Sequence, residues 1–487
     1  MGIEHRDELV DHPTFLEHIR YFFDAIDIDH MKRQAGMDLA TYEAVQAKAV
    51  DIYFQVSGGQ MPPEPERRWP PARVQTFRNW IADQCPRGAA SLDLAALGRA
   101  PDPRIPTRKN AASLPEAERA RVGRAFQALI DRDPDDPNSY FSLAGIHWFP
   151  APTFCVHHQP AYNPWHRVYI DRFEAAMRTV PGCEDVTLPY WDILEPVPDW
   201  LTQPPFDSYR LPRQVAPAYP ANMVTRRNPP DVIAREVRSY PIAHNIREAL
   251  NAPTFDKFRT DIEAAHDNGH VSCGDSMDTP DIASFDPLFW FFHCNWERMW
   301  WAWQSRYDAT DLASFRSTLP PGNVEWLDDP LFNRLRPFGV ETGSTIASGA
   351  YAYDALPAGM FRERALVESG HVALGRSFQL SPHPRLSLRV KGIDRLRLRG
   401  SFVVHLFADG EEVAKQAFFQ SLTPQDCAAC AERAAVDVDF ILDRAEIAGK
   451  SLEARIETRD PERVDPWVSL SQVGNPTINV RELLINE

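Results

Sequence analysis

The chain has 487 residues, 44% of them hydrophobic and 25% charged, an ordinary globular composition with room for two or three domains. A formal net charge of -16 argues against nucleic acid or an anionic membrane as partner. No run has the uncharged apolar length of a membrane span, the start MGIEHRDELVDH has no apolar signal core, and seven sparse cysteines form no secreted disulfide framework, so a cytoplasmic protein is expected.

In chain order, TFLEHIRYFFDAI and RVQTFRNWIADQC show helical apolar spacing, interrupted by MPPEPERRWPPA and closed by the linker APDPRIPTR. They predict a helical N-terminal extension over residues 1–110. Ser113-Leu114-Pro115-Glu116 then reads as a capping box ahead of the amphipathic run ERARVGRAFQALIDRD. Further on, Asn163-Pro164 reads as N-cap and first helical residue, with Pro181-Gly182 as the stop. That helix lines up His166, Ile170, Phe173 and Met177 on one face. After a proline-rich loop at 203–230, a helix over roughly 253–270 carries Glu263, His266 and His270 on one side. The stretch FDPLFWFFHCNWERMWWAWQSRY follows, with Phe289, His293, Trp296 and Trp300 on one face. A helix apolar nearly all round belongs at the centre of its domain, and a histidine buried there needs a partner for its ring nitrogens. From about Ser377 the texture changes to short alternating runs such as RLSLRVKG, FVVHLFADG and VDVDFIL. These predict an antiparallel β sandwich or barrel over residues 356–487.

Two groups of histidines carry the chemistry: His147, His157 and His166, then His266, His270 and His293. His266 and His270, one helical turn apart, have the spacing for a shared ion. A hydrolytic zinc site would place Glu beside His266, where Asp267 stands, and would use an acidic ligand. Three neutral imidazoles per site suit copper as well as zinc, and two such sites suggest a paired-metal centre in a helix bundle.

The motifs around these histidines resemble the type-3 copper family: tyrosinases, catechol oxidases and molluscan haemocyanin units. The first site's signature reads here as Cys155-Val-His157, Pro164-Trp-His166-Arg167, Phe173-Glu174 and Pro189-Tyr-Trp-Asp192. The second reads as His266-Asp267-Asn-Gly-His270, Gly274-Asp-Ser-Met277 and Asp286-Pro-Leu-Phe289 through His293 and Asn295, and the closing Tyr-x-Tyr as Tyr351-Ala-Tyr353. Two departures are Phe292 where a second histidine is usual, and Glu297 where Asp usually precedes the Arg.

The resemblance implies a mainly α catalytic domain, a four-helix bundle at residues 111–355, in which the six histidines hold two copper ions. It also implies oxidation of o-diphenols to o-quinones by dioxygen, with some ortho-hydroxylation of monophenols. The same ligands would serve a haemocyanin-like dioxygen carrier or an o-aminophenol oxidase. Glu263 is expected to hold a proton-accepting water, Asp267 to tune monophenol chemistry, and Cys155 to form a thioether with His157. The C-terminal β domain is expected to act as a lid over the site, as in latent pro-enzymes. In the pair Phe418-Phe419 one ring should face the domain's own core and the other the copper cleft. Cys427 and Cys430, a CxxC beyond it, are expected to deliver copper. Partners would be dioxygen and a small phenol, within a chain that could form a homo-oligomer.

Overall fold

The computed structural model describes residues 7–86 and 106–360 with short gaps, then 385–424 and 434–483. Two compact units emerge: residues 1–103 with 310–348, and residues 104–309 with 349–487. Residues 310–348, which the sequence places at the end of the catalytic domain, therefore pack with the N-terminal unit instead.

In the first unit, helices α1 (Tyr42–Ala47), α2 (Ala49–Ser57) and α3 (Pro71–Ala82) surround an aromatic core. Phe77 sits at its centre, with ring centroids 5.4 Å from both Trp69 and Trp80. Among the described residues of the predicted run TFLEHIRYFFDAI, Ile19–Phe22 forms a 3-10 turn.

The first helix of the second unit is α4 (Glu116–Ile130), whose N-cap is Pro115 without a side-chain cap. The Ser113 hydroxyl donates to the Asn110 carbonyl instead, so the expected capping box is a turn. α5 (Tyr140–Gly145) is capped by the Ser139 hydroxyl, and α6 spans Tyr162–Arg178. Asn163 and Pro164 thus lie inside the first turn of α6, each two positions further into the helix than expected. α7 (Pro230–Ser239) and α8 (Ile242–Leu250) lead to α9 (Phe255–Cys273) and α10 (Leu288–Arg306). Thr254 caps α9 through its hydroxyl, and Gly274 at φ 67° ends it, a left-handed conformation that glycine adopts without penalty. Aromatic stacking joins these helices: Phe173 of α6 lies 3.6 Å from Trp290 of α10, and Phe258 of α9 lies 5.0 Å from Trp303.

The C-terminal part has two antiparallel sheets. Its strands are β3 (Arg385–Asp394), β4 (Phe402–Ala408), β5 (Glu411–Phe418), β6 (Ala435–Asp443), β7 (Leu452–Thr458), β8 (Trp467–Val468) and β9 (Thr477–Leu483). Their orders are β8-β7-β4-β5 and β9-β3-β6, and one core drawn from both sheets includes Leu388, Phe402, Leu406, Phe440 and Ile456. Asp409 and Gly410, both at positive φ, turn β4 into β5, as the Ala-Asp-Gly signal predicts. β5 is an edge strand, so the amides on its outer side need partners elsewhere.

One buried ion cluster closes the helical part. The two-residue strands β1 (Thr107–Arg108) and β2 (Ala352–Tyr353) pair in parallel and bring Arg108 inside, where its side chain is fully buried. Arg108 donates to Glu174 Oε2 at 3.0 Å and Asp171 Oδ1 at 2.7 Å, and stacks 3.5 Å over the Tyr351 ring. Glu297 lies 3.4 Å away and accepts from Arg167 Nε at 2.8 Å and from the Tyr353 hydroxyl. Burial opposes ionisation of Glu174, but Arg108, Arg178 and the Leu188 amide together outweigh it and hold the carboxyl below its ordinary value. Arg108→Met is expected to cost about 3–5 kcal/mol, because it strands buried carboxylates. The check is a fall in urea midpoint with an unchanged slope.

Candidate dinuclear metal site

α6 contributes His166, α9 contributes His266 and His270, and α10 contributes His293. His147 follows α5, and His157 stands in the loop before α6. The ligand-type atoms of His147, Cys155, His157 and His166 lie within 4.8 Å of one another, as do those of His266, His270 and His293. The two groups face each other, His166 and His293 stacking at 4.7 Å and His157 and His266 lying 5.3 Å apart. All but His157 are buried.

The ring nitrogens divide into outward and inward sets. Nδ1 of His147 donates to the Pro280 carbonyl at 3.2 Å, of His166 to Tyr162 at 2.9 Å, and of His270 to Met277 at 2.6 Å. Nδ1 of His266 faces Asp267 Oδ1 at 3.0 Å. With the proton fixed on Nδ1, Nε2 of each ring is a lone pair directed inward. Nε2 of His147, Nε2 of His266 and Nδ1 of His293 are buried and meet no hydrogen-bond partner among the described residues, while Nε2 of His270 and His293 point at each other across 3.2 Å. Buried lone pairs that converge without donors are costly unless an electrophile occupies the space between them. Burial, reinforced for most of the six by neighbouring imidazoles, holds them below the usual histidine range, His166 and His270 at about 3. They are neutral, the form in which imidazole binds a metal. An all-imidazole donor set of this kind fits two copper ions.

Cys155 lies among the first group, its Sγ 3.7 Å from Nδ1 and 3.5 Å from Nε2 of His157. Near-equal distances put the sulfur on the bisector through Cε1, the carbon between the nitrogens. Burial pushes the thiol well above its ordinary pKa, so without a metal beside it the sulfur is protonated.

Phe419 reaches into this centre. Its ring stacks on His270 at 4.0 Å and 9°, and stands edge-on to His157 at 5.4 Å and His266 at 5.7 Å. Phe418 turns the other way, stacking on Phe402 in the core of the sheets, while its other face meets His158 at 4.3 Å. Cys427 and Cys430 lie outside the described residues.

Glu263 is buried, with Oε2 accepting from Arg259 at 2.6 Å and Oε1 from the His158 amide at 2.7 Å. Asp267 is buried too, and its Oδ2 accepts the Phe419 amide at 3.0 Å. Burial pushes the Asp267 carboxyl well above its ordinary value, against the pull of that amide. A cavity of about 1160 Å³ between α8–α9 and the sheets reaches His158, Glu263 and Asp267.

The model for the common central domain of tyrosinase matches residues 137–229 and 201–306. Residues 137–306 form a domain of the type-3 copper family. The chain is 25% identical over 249 residues to a tyrosinase of a Hahella species, a match covering 40% of this chain and 53% of that protein. The chain thus spans about half the length of that relative. Among solved structures, a tyrosinase from Burkholderia thailandensis superposes with a TM-score of 0.58 at 19% identity, over 78% of this chain and all of that one. A functional unit of octopus haemocyanin reaches 0.56 at 20% identity, over 77% and 99%. At such identities the likeness is one of fold.

Four residues of the type-3 copper domain's surroundings carry no sequence signal: Arg108, Tyr162, His158 and Asn268. Tyr162 stacks on His166 at 4.5 Å. His158 holds φ at 59°, and its ring approaches Asp267 at 3.4 Å. Asn268 is buried on α9 and bonds to β5, a pairing that only the fold creates.

Between the two α9 histidines, Gly269 allows close packing. A Cβ there would meet Ile193 Cδ1 at 2.7 Å and Phe292 Cε2 at 2.8 Å. Gly269→Ala is expected to cost about 1–3 kcal/mol by overpacking, read as a lower denaturation midpoint.

Proposed function

We propose that the chain is a latent phenol oxidase that converts o-diphenols to o-quinones with dioxygen and hydroxylates monophenols to a lesser extent. The observation that carries this reading is the Phe419 ring lying flat on His270, because a pocket already filled by a benzene ring has the shape for a phenol. His147, His157 and His166 would hold one copper, and His266, His270 and His293 the other. The pair of coppers supplies the electrons that reduce dioxygen. The protein's part is to keep six imidazoles neutral and oriented, exclude water through the surrounding aromatic wall, and receive the phenol proton. Asp267 and a water held beside Glu263 are the acceptors on the substrate side; both Glu263 oxygens already accept one hydrogen bond, and a carboxylate can accept more. A dioxygen carrier would use the same ligands, and oxygen uptake separates the two.

Copper-loaded protein is expected to contain two coppers per chain and to consume oxygen with an added o-diphenol. His293→Ala should lose one copper by elemental analysis and all oxidation. Loading with copper but no oxygen uptake on any diphenol, with the lid open, removes the oxidase reading.

Cys155 is proposed to form a thioether with Cε1 of His157, which would restrain a ligand that stands in a loop. Intact mass should fall by two hydrogens on copper maturation, and Cys155→Ser should not show the change.

The β domain is proposed as the lid, with Phe419 as its plug. Two buried carboxyls sit where it docks: Asp281 accepts the Leu422 amide at 3.4 Å, and the Asp278 carbonyl accepts the Ser401 hydroxyl at 2.7 Å. Burial raises Asp281 to about 6 and Asp278 to about 7, the latter against Arg459. Both values exceed that of a free aspartate, about 3.9, so the docked state favours the protonated acids. Docking is therefore strongest below that free value and weakens as pH rises through 6–7. Full-length protein should oxidise diphenol faster from pH 5 to 8, Asp281→Asn should flatten that rise, and Phe419→Ala should be active throughout.

A further inference from the structure

The two sheets of the β part end in four edge strands, β5, β8, β6 and β9, and the first three are protected. The amides of Ala417 in β5 and Phe419 just past it donate to Asn268 and Asp267 of α9. β8 is only Trp467–Val468, too short to template a neighbour. β6 carries Asp437 and Asp439, both exposed, and charge along an edge discourages pairing. β9 has none of these devices. It runs from Thr477 to Leu483 in unbroken register with β3, with no bulge, and its stretch Thr477–Val480 holds no proline and no charge. Such a strand offers the N–H and C=O of alternate residues along its free side.

The side chains point the same way. Ile478 stands directly opposite Val390 and Val480 opposite Leu388, so both lie on the core face of their sheet. Yet Val390 and Leu388 are 1% and 0% exposed, whereas Ile478 and Val480 are 37% and 53% exposed. The core face therefore runs on past its cover and ends in solvent. Val464, Trp467 and Leu470, on the chain leading into β9, are exposed as well. Apolar side chains gathered at an open strand edge mark a surface that is covered by another chain.

We propose that β9 is an interface between copies of this chain, pairing antiparallel with β9 of a second copy about a two-fold axis at Asn479. That register sets Ile478 of each copy opposite Val480 of the other, apolar on apolar, and Thr477 opposite Arg481. Neighbouring registers match less well. A two-fold at Val480 sets Ile478 against Glu482, and one at Ile478 sets Val480 against Pro476, which has no N–H to give. A slip of one residue turns the apolar side of one strand onto the polar side of the other. Pairing joins two three-stranded sheets into a six-stranded one whose outer strands are both β6. Those edges carry the aspartates, so assembly closes at two copies. The net charge of -16 on each chain opposes association, and salt screens that repulsion.

Sedimentation of the full-length chain over a concentration series should pass from the 55.3 kDa monomer to a dimer, and at lower concentration in higher salt. Ile478→Lys combined with Val480→Lys should raise the dissociation constant at least about tenfold while leaving the urea midpoint unchanged. Asn479→Cys, on the axis, should form a disulfide between copies on mild oxidation, beyond any crosslink of the parent chain. Thr477→Cys, which the register sets away from its own counterpart, should not. A monomer at every concentration overturns the inference. So does a dimer that the two lysines leave intact, or one that Asn479→Cys fails to crosslink.

Discussion

The structure depends on a proton being kept on one side of an imidazole. At His147, His166 and His270 a main-chain carbonyl takes the Nδ1–H, and at His266 the neighbouring Asp267 faces it. Those acceptors come from the Pro280 and Met277 turns and from α6 itself, so the loops after α9 matter as much as the helices bearing the rings. Move the Met277 carbonyl and the His270 tautomer is released. Burial adds a second restraint by disfavouring the charged ring. Together they hold several lone pairs pointed at one small volume, a state that neither water nor a hydrophobic core would tolerate alone.

The ion cluster at Arg108 does a related task one layer out. α6 bears Arg167, Asp171 and Glu174 on the side away from His166, and α10 bears Glu297 one turn after His293. Arg108 bonds to Asp171 and Glu174 of the first helix and pairs with Glu297 of the second, and Arg167 crosses to Glu297 directly. α6 and α10 are therefore held against each other by charges beside the histidines. An ion pair of this kind adds little net stability, but each charge restricts where its partners can stand.

Much of this was legible from spacing. The aromatic run around His293, the i, i+4 pair on α9 and the alternating strands of the β part all encode their burial in a local period, 3.6 or 2. The motif around Cys155 and His157 places a sulfur beside a ring because the two are only two residues apart. Strand alternation sets one of Phe418 and Phe419 inward and the other outward without saying which, and the structure turns Phe419 to the histidines and Phe418 to Phe402. What spacing could not give were contacts made across hundreds of residues. Arg108 meets Glu297 from 189 positions away, and Asn268 meets Ala417 from 149. The same holds for residues 310–348, whose polar, interrupted sequence has no period that assigns it to either unit. The helix starts at Glu116 and Tyr162 are not legible from spacing, because a proline or a polar residue near a boundary fits several of the first positions.

The edge position of β5 has one more consequence. A bare strand edge is a template for pairing with any other extended chain, and natural sheets hide such edges. Here α9 hides it with Asn268 and Asp267. Any event that lifts the strand from the helix bares an adhesive border on the departing sheets at the moment it clears the helix. Opening is then self-reinforcing: sheets that pair with one another no longer return to the helix, and a reversible displacement becomes a one-way step.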